Sequence, residues 1–503
     1  MGYMRTVSVH ITDGHPLFDY CDKITRLSNN LSNAVRFRQR QVITAVSKDE
    51  ADRTDNERRV MDEIRAAIPC MKKPKQMPSA KKHFLSYTML DEILKYTDNP
   101  DYYAEGLPRQ SAQGIIKQCV SDMKAFYRSV REYRQNPGSF TGKPELPGYK
   151  KKGGRCTAFI TNQDCTVTAL DGNWYAGLPF AKDEPLCLGA PIPDAVLKQA
   201  CIVPENGRFC IRFQFEVSRE LPKVNEKPNR ISSIDFGVDN LMSVTNNCGL
   251  PCLIYKGGVA KSINQLYNKQ VAKIVSEQTA GTANKFIPTP EYHRLTNRRN
   301  DRISDCLHKY AKDFITWCVE NRIDTIVMGS NRMWKQEAGL GSRNNQNFVQ
   351  LPFGELQGII RYLAEWNGIR VIEQEESYTS KASFPNMDPI PVYKEGNDTK
   401  YTFSGKRCPA RYAGMYKKDG FRGLYVTKDG AVINSDLNGS ANILRKAFPD
   451  AFEKVRPDFS KVVIIRHPDL KRREENRKKQ LLQDKGISRS KQKRQRRKSM
   501  TAA

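Results

Sequence analysis

The second half of the chain alternates between two hydrophobic periods. Three short apolar runs follow Asn229 (RISSIDFG, NLMSVTNN and PCLIY), and the tight turns between them predict antiparallel strands. A stretch with apolar residues at helical spacing runs from Lys261 to Asn321. Next come an apolar strand (DTIVMG), a helix over 353–366, a strand (IRVIEQ) and a helix after Asp436. Three antiparallel strands followed by alternating helices and strands predict an α/β domain.

The first half has a different pattern. MRTVSVHI alternates like a strand, and apolar residues at spacings of three and four, such as Ile24 and Leu31, then predict a helix. A second amphipathic helix begins at Pro108, a residue that suits the first turn of a helix. Strand-like runs resume later and include a hairpin with Asn206-Gly207 at its turn. We therefore expect a small β-barrel that is interrupted by a helical lobe.

The order of elements gives a fold class and a division into domains. The second half has the order of a ribonuclease H-like domain. The predicted domains are a β-barrel over 1–14 and 145–228, an α-helical recognition lobe over 15–144, an α/β nuclease domain over 229–450 with an insertion at 377–431, and a basic tail over 451–503. The tail is rich in Lys and Arg and has few apolar residues, so we expect it to be disordered.

Charge indicates the class of partner. The chain has 503 residues with 83 Lys and Arg against 55 acidic residues, a net charge of +28. Such an excess favours a polyanionic partner, and nucleic acid is the first expectation. No apolar run is long enough to span a membrane, and the N-terminus lacks the apolar stretch of a signal peptide, so we expect a soluble cytoplasmic protein that acts at the nucleoid.

Acidic residues stand where the predicted strands and helices meet. Asp235 ends the first strand after Arg230, Glu375 and Glu376 end IRVIEQE, and Asp436 opens the last helix. Each acid alone is equally typical of a helix cap or an exposed surface. Carboxylates gathered from distant segments onto one sheet are a common way to hold two divalent metal ions against a phosphodiester. The three anchors together therefore predict a metal-dependent nuclease site.

These segments resemble the transposon-encoded TnpB proteins, relatives of the type V CRISPR effectors. The resemblance is carried by IDFGVDNLMSV, YKGGVAKSINQLYNKQ, IVMGSN, NNQNFVQLPF, EESYTSKASF and SDLNGSANILRK, and it covers roughly residues 230 to 450. It implies a RuvC-like nuclease domain. It also implies an endonuclease that carries a guide RNA and cuts double-stranded target DNA beside a short adjacent motif.

One departure concerns the middle catalytic acid. Members of the family typically have a Glu in the strand that aligns with IVMGSN, where this chain has Gly329. The next strand runs beside it and ends in two acids, so an acid there could reach the same metal ions. We favour Glu376 and keep Glu375 as the alternative. Two Mg²⁺ ions would then be held by Asp235, Glu376 and Asp436.

A second departure concerns zinc. Most relatives have paired cysteines after YTSK, whereas this chain has ASFPNMD there and only Cys408 further on. We therefore predict no zinc.

Basic and polar residues give a set of candidate nucleic-acid contacts. They are Arg36, Arg40, Lys150, Lys151, Lys256, Lys261 and Asn264. Two alternatives to the nuclease stay open. One is a nuclease-dead, RNA-guided DNA-binding repressor, and the other is a compact type V CRISPR effector of the same fold. The oligomeric state is unknown from sequence, with a monomer favoured.

Overall fold

Two structural units make up the chain, Met1–Arg219 and Glu220–Ala503. The structure is a computed structural model that describes residues 3–218, 220–280, 285–330, 350–392, 401–407, 423–467 and 469. The units divide at 219/220, earlier in the chain than the boundary at 228/229 expected from sequence. The basic segment beyond residue 469 lies outside the described residues. Its disorder therefore stays a prediction.

The first unit combines four helices with two antiparallel sheets. Its elements are β1 (Tyr3–Ile11), α1 (Phe18–Ala45), α2 (Asp55–Ala67), α3 (Tyr87–Tyr96), α4 (Arg109–Gln135), β2 (Ala158–Thr161), β3 (Thr166–Leu170), β4 (Asn173–Leu178), β5 (Ala181–Gly189), β6 (Ala195–Glu205) and β7 (Arg208–Val217).

The first strand returns to a sheet formed much later in the chain. β1 pairs antiparallel with β7, and the sheet has the order β1-β7-β6-β2, while β3, β4 and β5 form a separate sheet. The four helices therefore lie between the first strand and the rest of its sheet, as the sequence predicted. The hairpin β6–β7 turns at Asn206 and Gly207, which both have positive φ. The closed barrel stays a prediction, because the strands pair in an open order among the described residues.

The second unit is a mixed α/β domain. Its elements are β8 (Ile231–Phe236), β9 (Asn240–Asn246), β10 (Cys252–Lys256), α5 (Gly258–Thr279), α6 (Pro290–Glu320), β11 (Thr325–Ser330), α7 (Phe353–Trp366), β12 (Arg370–Glu375), β13 (Lys406–Arg407), β14 (Leu424–Val426), β15 (Val432–Asn434), α8 (Ser435–Ala447) and β16 (Val462–Ile465).

One six-stranded sheet organises this unit. Its order is β12-β11-β8-β9-β10-β16. β8, β9 and β10 are mutually antiparallel, and β11 and β12 run parallel to β8. The three antiparallel strands and the two strands that follow them along the chain are those that the hydrophobic pattern predicted. The two faces are covered by different helices: Ile326 and Met328 join the core formed with α6 and α7, whereas Val327 packs with α8.

The expected start of the basic tail is wrong. β16 pairs parallel with β10 as the sixth strand, and Phe452 and Ile465 are buried at 3% and 5% exposure. The strand is four residues long and is followed directly by basic residues, so it carried too little periodicity to be recognised. The domain therefore extends at least to the end of β16. Within the described residues, no helix is long and apolar enough to cross a membrane.

The insertion between β12 and α8 contains a small sheet. Its order is β13-β14-β15, and β14 and β15 form the hairpin that the sequence predicted. Gly430 in the turn has φ +82°, a value that glycine adopts without strain. Cys408, on which the zinc argument partly rested, lies outside the described residues.

Candidate metal centre

Three acidic side chains meet at one edge of the six-stranded sheet. Asp235 is the penultimate residue of β8, Glu376 follows the last residue of β12, and Asp436 is the second residue of α8. β8, β11 and β12 are parallel neighbours, so their carboxyl ends lie at the same edge. All three residues are partly buried.

Glu376 lies against the glycine of the neighbouring strand. A Cβ atom added at Gly329 would lie 2.6 Å from Glu376 Oε2 and 2.8 Å from Ile443 Cδ1. These separations are shorter than carbon atoms tolerate, so the carboxylate occupies space that any side chain at position 329 would need. The Glu376 carboxylate thus lies beside the strand position where the family resemblance led us to expect an acid.

Glu375 makes different contacts. Its Oε2 atom lies 2.6 Å from Lys446 Nζ, and its Oε1 atom accepts a hydrogen bond of 2.5 Å from Ser377 N. Burial tends to raise the pKa of Glu375, but the hydrogen bonds from Lys446 and Ser377 outweigh it and lower the pKa. Glu375 is therefore an exposed, ion-paired carboxylate, and the geometry favours Glu376 over the alternative.

Asp235 has a strongly raised pKa. Burial raises its pKa well above the ordinary value, and the nearby carboxylates of Asp436 and Glu376 raise it further, while Arg407 lowers it. The Asp235 Oδ2 atom lies against Gly439, in the space where a Cβ atom would stand. Three hard oxygen donors that repel one another fit a divalent cation, because the ion would neutralise the charge that raises this pKa.

Asp436 is oriented by two asparagines. The Asn434 side chain caps α8 by accepting hydrogen bonds from Asp436 N at 2.9 Å and Leu437 N at 3.1 Å. Asn240 Nδ2 donates to Asp436 Oδ2 at 2.7 Å, and Lys256 Nζ donates to Asn240 Oδ1, also at 2.7 Å. Lys256 is thus connected to Asp436 through the side-chain amide of Asn240. Lys256 belongs to this internal chain of hydrogen bonds, and a role in direct nucleic-acid contact stays a prediction.

In the absence of divalent metal ions, we expect the free energy of unfolding to fall as the pH rises. A carboxyl group whose pKa is raised on folding binds more protons in the folded state, so its stabilising contribution is present at low pH and lost as pH rises through the folded-state pKa. The largest slope for one such group is about 1.4 kcal/mol per pH unit. Thermal unfolding in EDTA, measured from about pH 5 to about pH 8, tests this for Asp235.

Asp235→Asn isolates the contribution of this one group. The variant should gain stability relative to the parent as pH rises, and the difference should be largest at the alkaline end. Parallel pH profiles for parent and variant would contradict the pKa shift.

Two of the proposed nucleic-acid contacts are wrong. Asn264 is 1% exposed and accepts a hydrogen bond of 2.8 Å from Arg299 Nε, so it belongs to the interior between α5 and α6. Arg36 is 9% exposed and its guanidinium lies 2.6 Å from Asp122. Helical spacing alone did not reveal which basic residues face inward, because the stem of an Arg packs like an apolar residue.

The other basic candidates are at least partly exposed. The guanidinium of Arg40 lies 5.4 Å from the ring centroid of Tyr149, which is itself 51% exposed. Lys150 and Lys151 have exposed side chains, and Lys261 pairs with an exposed aspartate of its own unit. These positions stay predictions.

One further group of possible metal ligands occurs in the first unit. His10, Glu205 and Cys210 have donor atoms within 4.8 Å of one another. However, the Glu205 carboxylate lies 3.5 Å from Arg208 and 3.0 Å from Arg212, so two cations already satisfy its charge. An ion-pair network explains this group without a metal.

Comparison with known proteins gives two family matches. The profile of the probable transposase family OrfB_IS605 matches residues 212–335, and that of the Cas12f1-like TNB domain matches residues 353–443. The two matches lie mostly in the second unit, and between them they contain Asp235, Glu376 and Asp436. The TnpB-like protein ORF457 of Acidianus two-tailed virus is 27% identical over 244 residues, 47% of this chain and 46% of that protein.

The chain is thus similar to probable transposases and to a TnpB-like protein. The match spans about half the length of the curated relative. Among solved structures, a Cas12f1 complex with single-guide RNA and target DNA is similar with a TM-score of 0.43 at 10% identity, over 88% of this chain and 98% of that chain. Alicyclobacillus acidoterrestris C2c1 in complex with single-guide RNA gives 0.42 at 10% identity, over 88% of each chain.

Several residues of this site were not recognised from the sequence. Gly439 lies inside a helix, where glycine costs about 1 kcal/mol relative to alanine, and that cost was an available signal of a close approach. Asn240 and Arg407 gave no such signal. Their relation to the acids depends on the pairing of β8 with β9 and on the path of the insertion, which a single sequence does not specify.

Proposed function

We propose that this protein belongs to the TnpB family and is an RNA-guided DNA endonuclease whose second unit is a RuvC-like nuclease domain. The observation that carries the proposal is the approach of Asp235, Glu376 and Asp436 at one edge of the sheet. The similarity to a TnpB-like protein and a net charge of +28 support nucleic-acid partners, a guide RNA and double-stranded target DNA. Target choice would depend on guide pairing and on a short motif beside the target.

The three carboxylates would hold two Mg²⁺ ions. Both Asp436 and Glu376 raise the pKa of Asp235, which supports a role for Asp235 in holding the ions together with the other two acids. Bound Mg²⁺ ions would supply an activated water and stabilise the leaving oxygen during in-line displacement at phosphorus. Asn434 and Asn240 would hold the Asp436 carboxylate in one orientation during the reaction.

Arg407 contributes a positive charge beside the acids. It lowers the pKa of Asp235, and its side chain is exposed on β13. An exposed guanidinium is suited to bind a phosphate oxygen of the substrate.

The direct test is guided cleavage with the protein's own RNA. The protein is expressed together with its flanking genomic DNA, the copurifying RNA is sequenced, and the complex is incubated with Mg²⁺ and target DNA that carries randomised flanks. We expect cleavage of DNA complementary to the RNA and beside one enriched motif. Asp235→Asn should retain the RNA and the bound DNA but lose cleavage.

Other outcomes distinguish the alternatives. Binding of target DNA without cleavage in Mg²⁺ or Mn²⁺ would establish the repressor instead. Guides transcribed from a neighbouring repeat array would identify a CRISPR effector. A protein that purifies without RNA would contradict the proposal altogether.

A further inference from the structure

One face of α8 is hydrogen-bonded to the segment that carries Glu376. Asn438, Asn442 and Lys446 are spaced by four residues, so they share one face of the helix. Each of them bonds within residues 375–384, the segment that follows β12. The same helix begins with Asp436. Two of the three acids are therefore connected through one rigid element.

The two asparagines bond to the backbone of that segment. Asn438 Oδ1 accepts from Phe384 N at 2.9 Å, and its Nδ2 donates to Ala382 O at 2.8 Å. Asn442 Nδ2 donates to Thr379 O at 2.8 Å and to Ala382 O at 2.7 Å. Both asparagines have 0% exposure. Because these hydrogen bonds are made to backbone atoms, they fix the path of the segment independently of its side chains.

These bonds extend to Glu376 itself. Thr379 N and Oγ1 both donate to Glu376 O, at 3.2 Å and 2.7 Å, which closes a tight turn onto the acid. Asn442 holds the far end of this turn through Thr379. Lys446 Nζ donates to Ser377 O at 3.1 Å and so holds the near end. The backbone that follows Glu376 is thus anchored to α8 at two points, Ser377 and Thr379.

The turn between these anchors has a backbone conformation that needs support. Tyr378 has φ +67°, in the left-handed region that non-glycine residues rarely adopt. Such a residue persists when its surroundings hold it in place. Burying two amide side chains is costly unless they form hydrogen bonds, so an apolar pair of the same size would serve packing alone better. Asparagine at these two buried positions is explained if its hydrogen bonds are needed to hold the turn in place.

We propose that Asn438, Asn442 and Lys446 are positioning residues that fix Glu376 relative to Asp436. This inference rests on the proposed function, because it assumes that the two acids hold metal ions together. A Glu in the interior of β11 would be positioned by the sheet ladder, whereas residue 376 lies just beyond the end of β12. The hydrogen bonds from α8 supply the rigidity that the ladder would otherwise give.

The test compares metal affinity between two buried substitutions on α8. Asn442→Leu keeps the side-chain size and removes both hydrogen bonds, and Leu444→Ala removes apolar packing from the same helix. Mn²⁺, a paramagnetic stand-in for Mg²⁺, is titrated into the RNA-bound protein and followed by electron paramagnetic resonance. We expect Asn442→Leu to bind Mn²⁺ about 10- to 100-fold more weakly, the usual loss when a residue that orients a metal ligand is removed.

The control separates positioning from stability. Leu444→Ala should lower the Tm yet keep the Mn²⁺ affinity of the parent. Cleavage by Asn442→Leu should recover as Mn²⁺ is raised. Lys446→Met, at the partly exposed end of the same face, gives a second reading if Asn442→Leu does not fold, and it should also weaken Mn²⁺ binding.

Two results would overturn the inference, and they differ. Parental Mn²⁺ affinity in Asn442→Leu, or in Lys446→Met, would show that these side chains do not position the acid while leaving the proposed function intact. A parent that fails to bind Mn²⁺ at the three acids would remove the metal site itself, and the proposed function would fail with it.

Discussion

Glu376→Gln should abolish guided cleavage, with a fall in the rate constant of about 10³-fold or more. The substitution keeps the side-chain shape that fills the space in front of Gly329 but removes the negative charge that would ligate a metal ion. RNA and DNA binding should persist, because backbone contacts elsewhere hold the nucleic acid. Single-turnover cleavage with preformed RNA complex, beside a filter-binding assay, measures both.

Glu375→Gln is the matched control. It changes the same functional group one residue away, in a side chain that pairs with Lys446. The loss should stay within about tenfold, because Lys446 still donates to Ser377 O. If Glu375→Gln were the inactive variant and Glu376→Gln cut like the parent, the assignment would be off by one residue. If both variants cut like the parent, an acid after β12 would have no part in catalysis.

Gly439→Ala should strongly reduce guided cleavage. Its Cβ atom would overlap the Asp235 carboxylate, so either the acid or the helix must shift. A shift of about 1 Å in a reacting group can cost about 10²-fold in rate, and overpacking costs about 1–3 kcal/mol of stability. We expect cleavage to fall by at least that factor and Mg²⁺ to stabilise the variant less than the parent in thermal unfolding.

A second helical glycine offers the comparison. Gly358 lies within α7, and no atom lies within 4 Å of a Cβ added there. Gly358→Ala should therefore raise stability by about 1 kcal/mol through helix propensity and leave cleavage unchanged. Parental activity in Gly439→Ala would mean that the contact with Asp235 is not needed.

Sequence reasoning succeeded where hydrophobic periodicity was long. The central strands and α7 of the second unit lie where their patterns predicted, because each buries one face or both. β16 was missed because four residues carry no clear period. The mixed α/β nature of the chain and its similarity to TnpB-like proteins followed from the order of such elements and motifs.

The site was predictable to the level of its acids and no further. Strand alternation left Glu375 and Glu376 open, since Glu375 is the last residue of the strand and Glu376 follows it directly. The structure separates them through Lys446, a partner some 70 residues away. The burial of Asn264 likewise depends on how α5 and α6 pack. These contacts join residues far apart in the chain, and a single sequence does not specify them.

The contact between Gly329 and Glu376 makes the two acid positions mutually exclusive. Any side chain at 329 would begin inside the space of the Glu376 carboxylate, so one chain cannot hold both acids in place. If the catalytic acid changed position between residues 329 and 376, no intermediate sequence could have a functional acid at both positions. Residue 329 must lose its side chain before a carboxylate from 376 can enter. The order of substitutions is thereby constrained. Gly329→Glu should displace the Glu376 carboxylate unless residue 376 is first replaced by a residue with a small side chain.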